Sequence, residues 1–200
     1  MLSRRGAVLS LFTILTARVE SQARPLEGRY FVVVWACQGP SGSPTESHTF
    51  ASFYRGDDLA AGNVHPATIS WLPATGVVRF GSVERGKNFS LEETLALTKR
   101  RGYRLASYGP YEISVQTYSR ALLRVRLLNS GRIAYTMINV VAGAMNCIEA
   151  VGSVGGPVNT WINYGFAASE TVASHLALHR GQIDRDVAGQ LRLAGNAPTQ

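Results

Sequence analysis

The sequence predicts an α+β domain in which a small antiparallel sheet carries packed helices. Segments rich in β-branched and aromatic residues come first along the chain, and segments with a helical apolar period follow them. Strands and helices in separate blocks are typical of this class, and strands in close succession favour antiparallel pairing. The length of 200 residues, with 46% apolar and 16% charged residues, fits one globular domain.

Five segments are predicted as strands because Val, Ile, Phe, Tyr and Trp are concentrated in them between Gly-, Pro- and Ser-containing loops. They are residues 29–37, 48–54, 67–72, 76–80 and 133–138. The first four precede every predicted helix, which is the reason for expecting one antiparallel sheet.

Three longer helices are predicted. The first covers residues 90–101 and opens with a capping box formed by Ser90 and Glu93. The second starts at Pro110 after a turn, carries one apolar stripe and ends at Gly131, which we expect in a left-handed conformation. The third covers residues 167–178.

The two ends of the chain are predicted to lie outside the domain at 24–180. Residues 1–23 have a basic start and an apolar stretch at 6–17, which is typical of a signal peptide cleaved after Ala17 or Ala23. An amphipathic first helix of a cytosolic protein is the alternative. We therefore expect export to the periplasm or the medium, no transmembrane segment in the mature chain, and a partly mobile tail at 181–200.

The formal net charge of +7 allows nucleic acid, an anionic membrane surface or a cell-wall polymer as a partner. The basic residues are scattered and no nucleic-acid motif is present, so nucleic-acid binding is not expected. His175 and His179 stand four residues apart without a third ligand, and the sequence has no C-x-x-C or H-E-x-x-H spacing. We therefore predict no metal and no cofactor.

Cys147 is the candidate nucleophile because it stands where a β-like segment passes into a short helical turn. A helix N-terminus lowers a thiol pKa, and its N–H groups can stabilise an oxyanion. A thiol nucleophile also needs a base. His48, at the head of a predicted strand, is the candidate, with His65 as the weaker choice. A Cys37–Cys147 disulfide and an inert buried thiol remain open alternatives.

This order of segments resembles the circularly permuted papain-like hydrolases of the NlpC/P60 superfamily, whose His-bearing strands precede the Cys-bearing helix. The resemblance rests on His48 and Cys147, with Ser70 near the place of the third polar residue. It implies a permuted papain-like fold and acyl transfer on a peptide, amide or ester substrate, including a cell-wall-derived one. The segments ISWLP, GPYEI and NCI also resemble an uncharacterised bacterial protein family, which implies no activity.

A non-catalytic binding module of the cell envelope is the rival prediction. In that interpretation Trp35, Trp71, Trp161 and the Tyr108–Tyr111 turn would form a carbohydrate or peptide surface. A basic protein associated with lipid or nucleic acid is a third option, which only the charge favours.

Overall fold

The computed structural model describes residues 24–138, 141–157, 164–179 and 181–193. The predicted signal peptide at 1–23, Trp161 and the last part of the predicted tail lie outside the described residues.

The described strands form two four-stranded sheets. They are β1 (Tyr30–Gln38), β2 (Ser47–Arg55), β3 (Ala67–Ile69), β4 (Trp71–Pro73), β5 (Val83–Asn88), β6 (Arg104–Ile113), β7 (Ala134–Thr136) and β8 (Ala144–Met145). The first sheet has the order β3-β2-β1-β6 and is antiparallel throughout. The second has the order β4-β5-β7-β8, with β7 and β8 parallel.

The helices pack around these sheets, so the predicted α+β class is confirmed. The single antiparallel sheet that the sequence predicts is instead two small sheets, because the predicted strand 67–72 is divided between them and its second half pairs with β5. The helices are α1 (Gly56–Ala60), α2 (Leu91–Arg100), α3 (Val115–Asn129), α4 (Cys147–Gly152), α5 (Gly165–Leu176) and α6 (Arg185–Leu193). The capping box of α2 is present: the Ser90 hydroxyl accepts from the Glu93 N–H at 3.1 Å, and the Glu93 carboxylate accepts from the Ser90 N–H at 2.8 Å.

The predicted helix start at Pro110 is wrong, because residues 104–113 form β6 along the free edge of β1. This pairing satisfies backbone groups over the whole length of β1, and that tertiary gain outweighs a local turn signal. Tyr111 consequently lies in the sheet opposite Val32. Helix α3 begins after its N-cap residue Ser114, whose hydroxyl accepts a hydrogen bond from the Thr117 N–H.

Two predicted strands are also corrected. Residues 76–80 form no strand, and the partner of β4 is β5, whose charged, alternately exposed residues carry no apolar signal. The predicted strand 67–72 is interrupted at Ser70, with β3 in the first sheet and β4 in the second. The Ser70 N–H donates to the Asn88 side-chain oxygen instead of a ladder carbonyl, which explains the interruption.

Residues 181–193, predicted as part of a tail, belong to the domain. Val187 and Leu191 of α6 are fully buried in an apolar cluster with Phe31 and Leu59. Only one narrow face of α6 contacts the core. The sequence of this segment therefore has too few apolar residues to show a helical stripe, and the helix was not predicted.

The first sheet is covered on both faces. Alternate residues of β1 point to opposite sides, so Val32 and Val34 enter the larger apolar cluster with α4 and α5, whereas Phe31 and Trp35 enter the smaller one. Strand β2, which carries His48, therefore lies inside the domain. In the described part of the chain, no helix combines the length and the apolarity needed to cross a membrane.

Candidate active site

Cys147 is the first residue of α4, as the sequence predicts. Asn146 is the N-cap, and its side-chain oxygen accepts a hydrogen bond from the Glu149 N–H at 2.8 Å. Asparagine is a favoured N-cap residue because its side chain satisfies an amide that has no helical partner. The thiol is therefore attached to a defined point where β8 passes into a helix.

Two long side chains hold this segment in place. The Trp71 indole N–H donates to the Met145 carbonyl at 3.2 Å, just before the helix. Arg124 of α3 donates to the Met145 sulfur at 3.0 Å and to the Ser153 hydroxyl at 2.8 Å, after the helix. Both ends of α4 are thus fixed to other elements, which fixes the position of the Cys147 backbone.

Burial dominates the electrostatics of the Cys147 thiol. Burial raises its pKa, and the backbone N–H groups of Thr49, Cys147 and Ile148 oppose that rise. The predicted lowering of the thiol pKa is therefore the wrong direction, because removing the thiolate from water outweighs the stabilising N–H groups. The N–H groups remain favourable to negative charge at this point.

Both cysteines are free, so the disulfide alternative is not realised. Cys37 is buried on β1 opposite His48 of β2, and burial raises its pKa to about 11. Cys37 and Cys147 are thus two buried thiols with different surroundings, one in the middle of a sheet and one at a helix start.

His48 is buried on β2, where its ring stacks on Phe50 with 5.4 Å between the ring centroids. Its two ring nitrogens differ. Nε2 lies 2.9 Å from the Ser70 hydroxyl oxygen, whereas Nδ1 is buried and has no hydrogen-bond partner. Burial lowers the pKa of His48 to about 3, so the ring is neutral near pH 7.

Hydrogen bonds fix Ser70 through its backbone and through its side chain. Its N–H donates to the Asn88 side-chain oxygen at 2.8 Å, and the Asn88 amide donates to the Thr68 carbonyl at 2.9 Å. The Ser70 hydroxyl also lies 2.7 Å from the Thr94 hydroxyl of α2. The break between β3 and β4 therefore places the Ser70 side chain between His48 and α2.

The structure brings two of the three predicted site residues into direct contact, His48 and Ser70. No hydrogen bond joins Cys147 to His48, since Nε2 is engaged with Ser70 and Nδ1 is unpartnered. The Thr49 N–H nevertheless acts on the Cys147 thiol. The thiol thus lies beside the β2 backbone at the residue that follows His48.

Thr94 is the residue that sequence reasoning missed. It is 1% exposed and contacts Ser70 from the buried face of α2. Its position could have been inferred from helical spacing, because Leu91, Thr94 and Thr98 lie on one face of the capped helix. Polar residues on the buried face of a short helix indicate a polar contact with the element on which the helix packs.

A cavity of about 20 Å³ adjoins His48 between the first sheet and α2, and its lining includes Cys37, Thr94 and Thr98. This volume suits a single water molecule and not a substrate. The α2 side of His48 therefore has no room for a substrate.

The other candidate residues do not join this site. His65 is exposed in the loop before β3. Trp35 and Trp71 are at most 1% exposed, so they cannot form the predicted carbohydrate surface, and Tyr108 and Tyr111 are half-buried within β6. Within the described ranges, no group of three or more His, Cys, Asp or Glu side chains is arranged to hold a metal ion.

Comparison of the chain with protein-family models, with curated proteins and with solved structures finds no match. A functional assignment consequently depends on the geometry around Cys147 and His48.

Proposed function

We propose that the protein is a cysteine hydrolase that performs acyl transfer in a circularly permuted papain-like arrangement. Cys147 is the nucleophile, His48 the general base and Ser70 the residue that orients the base. The observation that supports this most strongly is the asymmetry of the His48 ring, with Nε2 bonded to Ser70 and Nδ1 buried without a partner.

An imidazole base needs one nitrogen with a free lone pair and a second nitrogen held by another group. His48 meets the second condition, because Nε2 lies 2.9 Å from the Ser70 hydroxyl. In this proposal the base is Nδ1, which has no hydrogen-bond partner. The lowered pKa of about 3 keeps the ring neutral. The ring therefore stays unprotonated over the whole physiological pH range, and the same burial makes it a weaker base than an exposed imidazole.

The order of the site residues along the chain agrees with the permuted arrangement. The strand that carries His48 precedes Ser70, and the helix that starts at Cys147 follows both. Helix α4 lies against β2, so that the Thr49 N–H acts on the thiol. This is the placement expected of a nucleophile helix packed on a histidine strand.

The reaction begins with the neutral thiol and the neutral imidazole, because burial raises the pKa of Cys147 and lowers that of His48. The sulfur attacks the acyl carbon while its proton passes to Nδ1 of His48. The N–H groups near the thiol stabilise the oxyanion. The carbonyl re-forms, the bond to the leaving amine or alcohol breaks, and Nδ1 returns the proton to that group.

Water completes the cycle. Nδ1 accepts a proton from a water molecule as its oxygen attacks the thioester carbon, the C–S bond breaks, and the thiol recovers its proton as the carboxylic acid leaves. Every proton transfer passes through one nitrogen of His48. The step requires no oxidant, reductant or further co-reactant.

The substrate class is a peptide, amide or ester. A net charge of +7 favours anionic polymers such as the cell wall over neutral ones. The proposal includes export to the periplasm or the medium, which the basic start and the apolar stretch at 6–17 support.

Acylation of the purified chain by p-nitrophenyl acetate tests the proposal. We expect one acetyl group on Cys147, located by peptide mass spectrometry, and a faster release of nitrophenolate than from the Cys147→Ala variant. His48→Gln should slow acetylation by about a hundredfold, the lower end for general base catalysis. Cys37→Ser and His65→Gln are matched controls that should react as the wild type does.

Acetylation of Cys37 in place of Cys147, or a Cys147 rate unaffected by His48→Gln, would contradict the proposal. If Cys147 is acetylated as expected, turnover on cell-wall peptides distinguishes amide substrates from esters. The appearance of new carboxyl groups measures that turnover.

A non-catalytic binding module is the second candidate, and the burial of Cys147 is the observation in its favour. The residue is 6% exposed, and free cysteine is often a small buried apolar group. This candidate expects no acetylation of Cys147 in the native state and only a change in stability on Cys147→Ala.

A further inference from the structure

The segment that joins β4 to β5 exposes three apolar side chains. This segment, residues 74–83, is called the β4–β5 loop below. Val77 is 44% exposed, Phe80 75% and Val83 52%, and in the described part of the chain no large apolar residue is more exposed than Phe80. Apolar side chains exposed together on one loop indicate a site of contact with another molecule, because their contact with water is unfavourable.

Hydrogen bonds and one buried side chain define the shape of this loop. The Ala74 N–H donates to the Arg85 carbonyl at 2.8 Å, which closes the base of the loop. Val78 is 9% exposed and belongs to the larger apolar cluster, so it anchors the middle of the loop to the core. The loop therefore faces the core through Val78 and presents Phe80 to the solvent.

Cations accompany the exposed apolar side chains. Residues 74–87 contain three cations and one carboxylate, and that carboxylate accepts a hydrogen bond from Arg79 at 3.4 Å. Arg79 is nevertheless 62% exposed. Arg101, at the C-terminal end of α2, adds a further cation, since its guanidinium lies 3.6 Å from the place that a Cβ would take at Gly76. Neither Arg85 nor Arg101 forms an ion pair within the described residues. The surface around the loop is therefore both apolar and positively charged.

We propose that the β4–β5 loop binds the surface of an anionic phospholipid bilayer. Phe80 enters the boundary between headgroups and acyl chains, where aromatic side chains are stable. Arg79, Arg85 and Arg101 lie against the anionic headgroups, whose negative surface potential attracts Lys and Arg. A stable protein interface buries about 800 Å² on each partner, and three side chains of one loop do not expose such an area. This binding is independent of the proposed hydrolase function, because the loop contains none of its site residues.

Sedimentation of the full chain with lipid vesicles tests the apolar part of this surface. We expect tighter binding to vesicles of equal parts phosphatidylcholine and phosphatidylglycerol than to vesicles of phosphatidylcholine alone. Phe80→Ala should bind the anionic vesicles about tenfold more weakly, because the inserted aromatic ring is lost. Leu178→Ala is the matched control, since Leu178 is 53% exposed outside the loop. Every variant keeps residues 1–23, so the differences between variants report on the loop alone.

The cations of the loop are tested with the same vesicles. The double variant Arg79→Gln with Arg85→Gln should bind the anionic vesicles more weakly by about fivefold for each cation removed. Its binding to phosphatidylcholine alone should not change. The double variant Arg24→Gln with Arg55→Gln is the control, because it removes the same charge from two exposed residues outside the loop.

Equal binding of the wild type to the two kinds of vesicle, or unchanged binding of Phe80→Ala, would overturn the proposal. Self-association of the wild type without vesicles that is lost in Phe80→Ala would identify a second copy of the chain as the partner and would also overturn it. Phe80→Ala should unfold in urea as the wild type does, because the side chain is exposed. Acetylation of Cys147 in solution should be unchanged in Phe80→Ala, so a failure of membrane binding is distinguishable from a failure of the hydrolase function.

Discussion

His48 Nε2 and the Ser70 hydroxyl oxygen are 2.9 Å apart, and the opposite nitrogen of the same ring is buried without a partner. A hydrogen bond at one nitrogen fixes the orientation of the ring, and the proposed function uses the other nitrogen for proton transfer. The strand break at Ser70 produces this contact, because the side chain of an interrupted position can enter the space between β2 and α2.

Replacing Ser70 by Ala should slow the acetylation of Cys147 about tenfold, because the ring loses the hydrogen bond that orients it. The rate of nitrophenolate release measures the effect. Ser52→Ala is the matched control, since Ser52 is a fully buried serine of β2 that accepts a hydrogen bond from Trp35 and not from His48. Equal losses in the two variants would indicate a general effect of a missing hydroxyl and would contradict the role of Ser70.

The pH dependence of acetylation should lack the usual histidine step. The pKa of His48 is lowered to about 3 by burial, so the base is already neutral at pH 5. We expect a rate that stays constant from about pH 5 to pH 7 after correction for the Cys147→Ala background. A sigmoidal rise with a midpoint near 6.5, the ordinary value for histidine, would show that His48 titrates as an exposed group and would contradict the proposed state of the base.

Much of the first sheet could be predicted from the sequence. Strands β1 and β2 are dense in apolar and aromatic residues because both of their faces are buried, and the capping box defined the start of α2. The elements that were missed lack a local signal. Strand β5 is formed by charged residues, and β6 contains a Gly109–Pro110 pair that is typical of a turn.

The candidate site shows the same division. The sequence indicated Cys147 at a helix start and His48 on a strand, because both follow from local patterns. Ser70 and Thr94 are 24 residues apart in the sequence. Their contact depends on how α2 packs against the break between β3 and β4, which no local pattern reveals. The direction of the Cys147 pKa shift also depends on burial by other elements, which a helix-start motif does not reveal.

The stability of the fold should decrease in mild acid because of His48. Its pKa is lowered from 6.5 to about 3 in the folded state. Below about pH 6.5 the unfolded chain binds a proton that the folded chain does not, so the stability present above that pH is lost as the pH falls. The free energy of unfolding in urea should lose about 1 kcal/mol per pH unit between pH 6 and pH 4 from this group.

The His48→Gln variant should lose that part of the slope, whereas His65→Gln should retain it because His65 is exposed. Parallel slopes in wild type and His48→Gln would show that His48 is hydrated in the native state.

Arg29 should be important for attaching α6. Its guanidinium donates to the Glu112 carboxylate at 2.9 Å and to the Asp184 carboxylate at 2.7 Å, and the three side chains are 12%, 17% and 16% exposed. Arg29→Met leaves two carboxylates without their shared cation. We expect a loss of about 2 kcal/mol in the free energy of unfolding, below the range for fully buried pairs because water still reaches these groups.

Arg55→Met is the control for Arg29→Met, since Arg55 forms an exposed pair with Asp57 at 2.9 Å. Exposed pairs contribute little to stability, so this variant should unfold as the wild type does. A similar effect of the two substitutions would contradict the structural role of the Arg29 cluster.

The end of α3 provides a test that depends on backbone conformation alone. Gly131 has a φ of +73°, which confirms the predicted left-handed residue after the helix, and no atom lies within 4 Å of the Cβ that alanine would add. Gly131→Ala should therefore lower the free energy of unfolding in urea by about 1 kcal/mol, because a Cβ is disfavoured at positive φ.

Gly189 lies inside α6, does not have a positive φ, and also has open space where alanine would add a Cβ. Gly189→Ala should stabilise the protein by roughly 0.5–1 kcal/mol, since alanine favours a helix interior. Effects of the same sign would show that the loss of chain flexibility, which both substitutions share, dominates over the native φ.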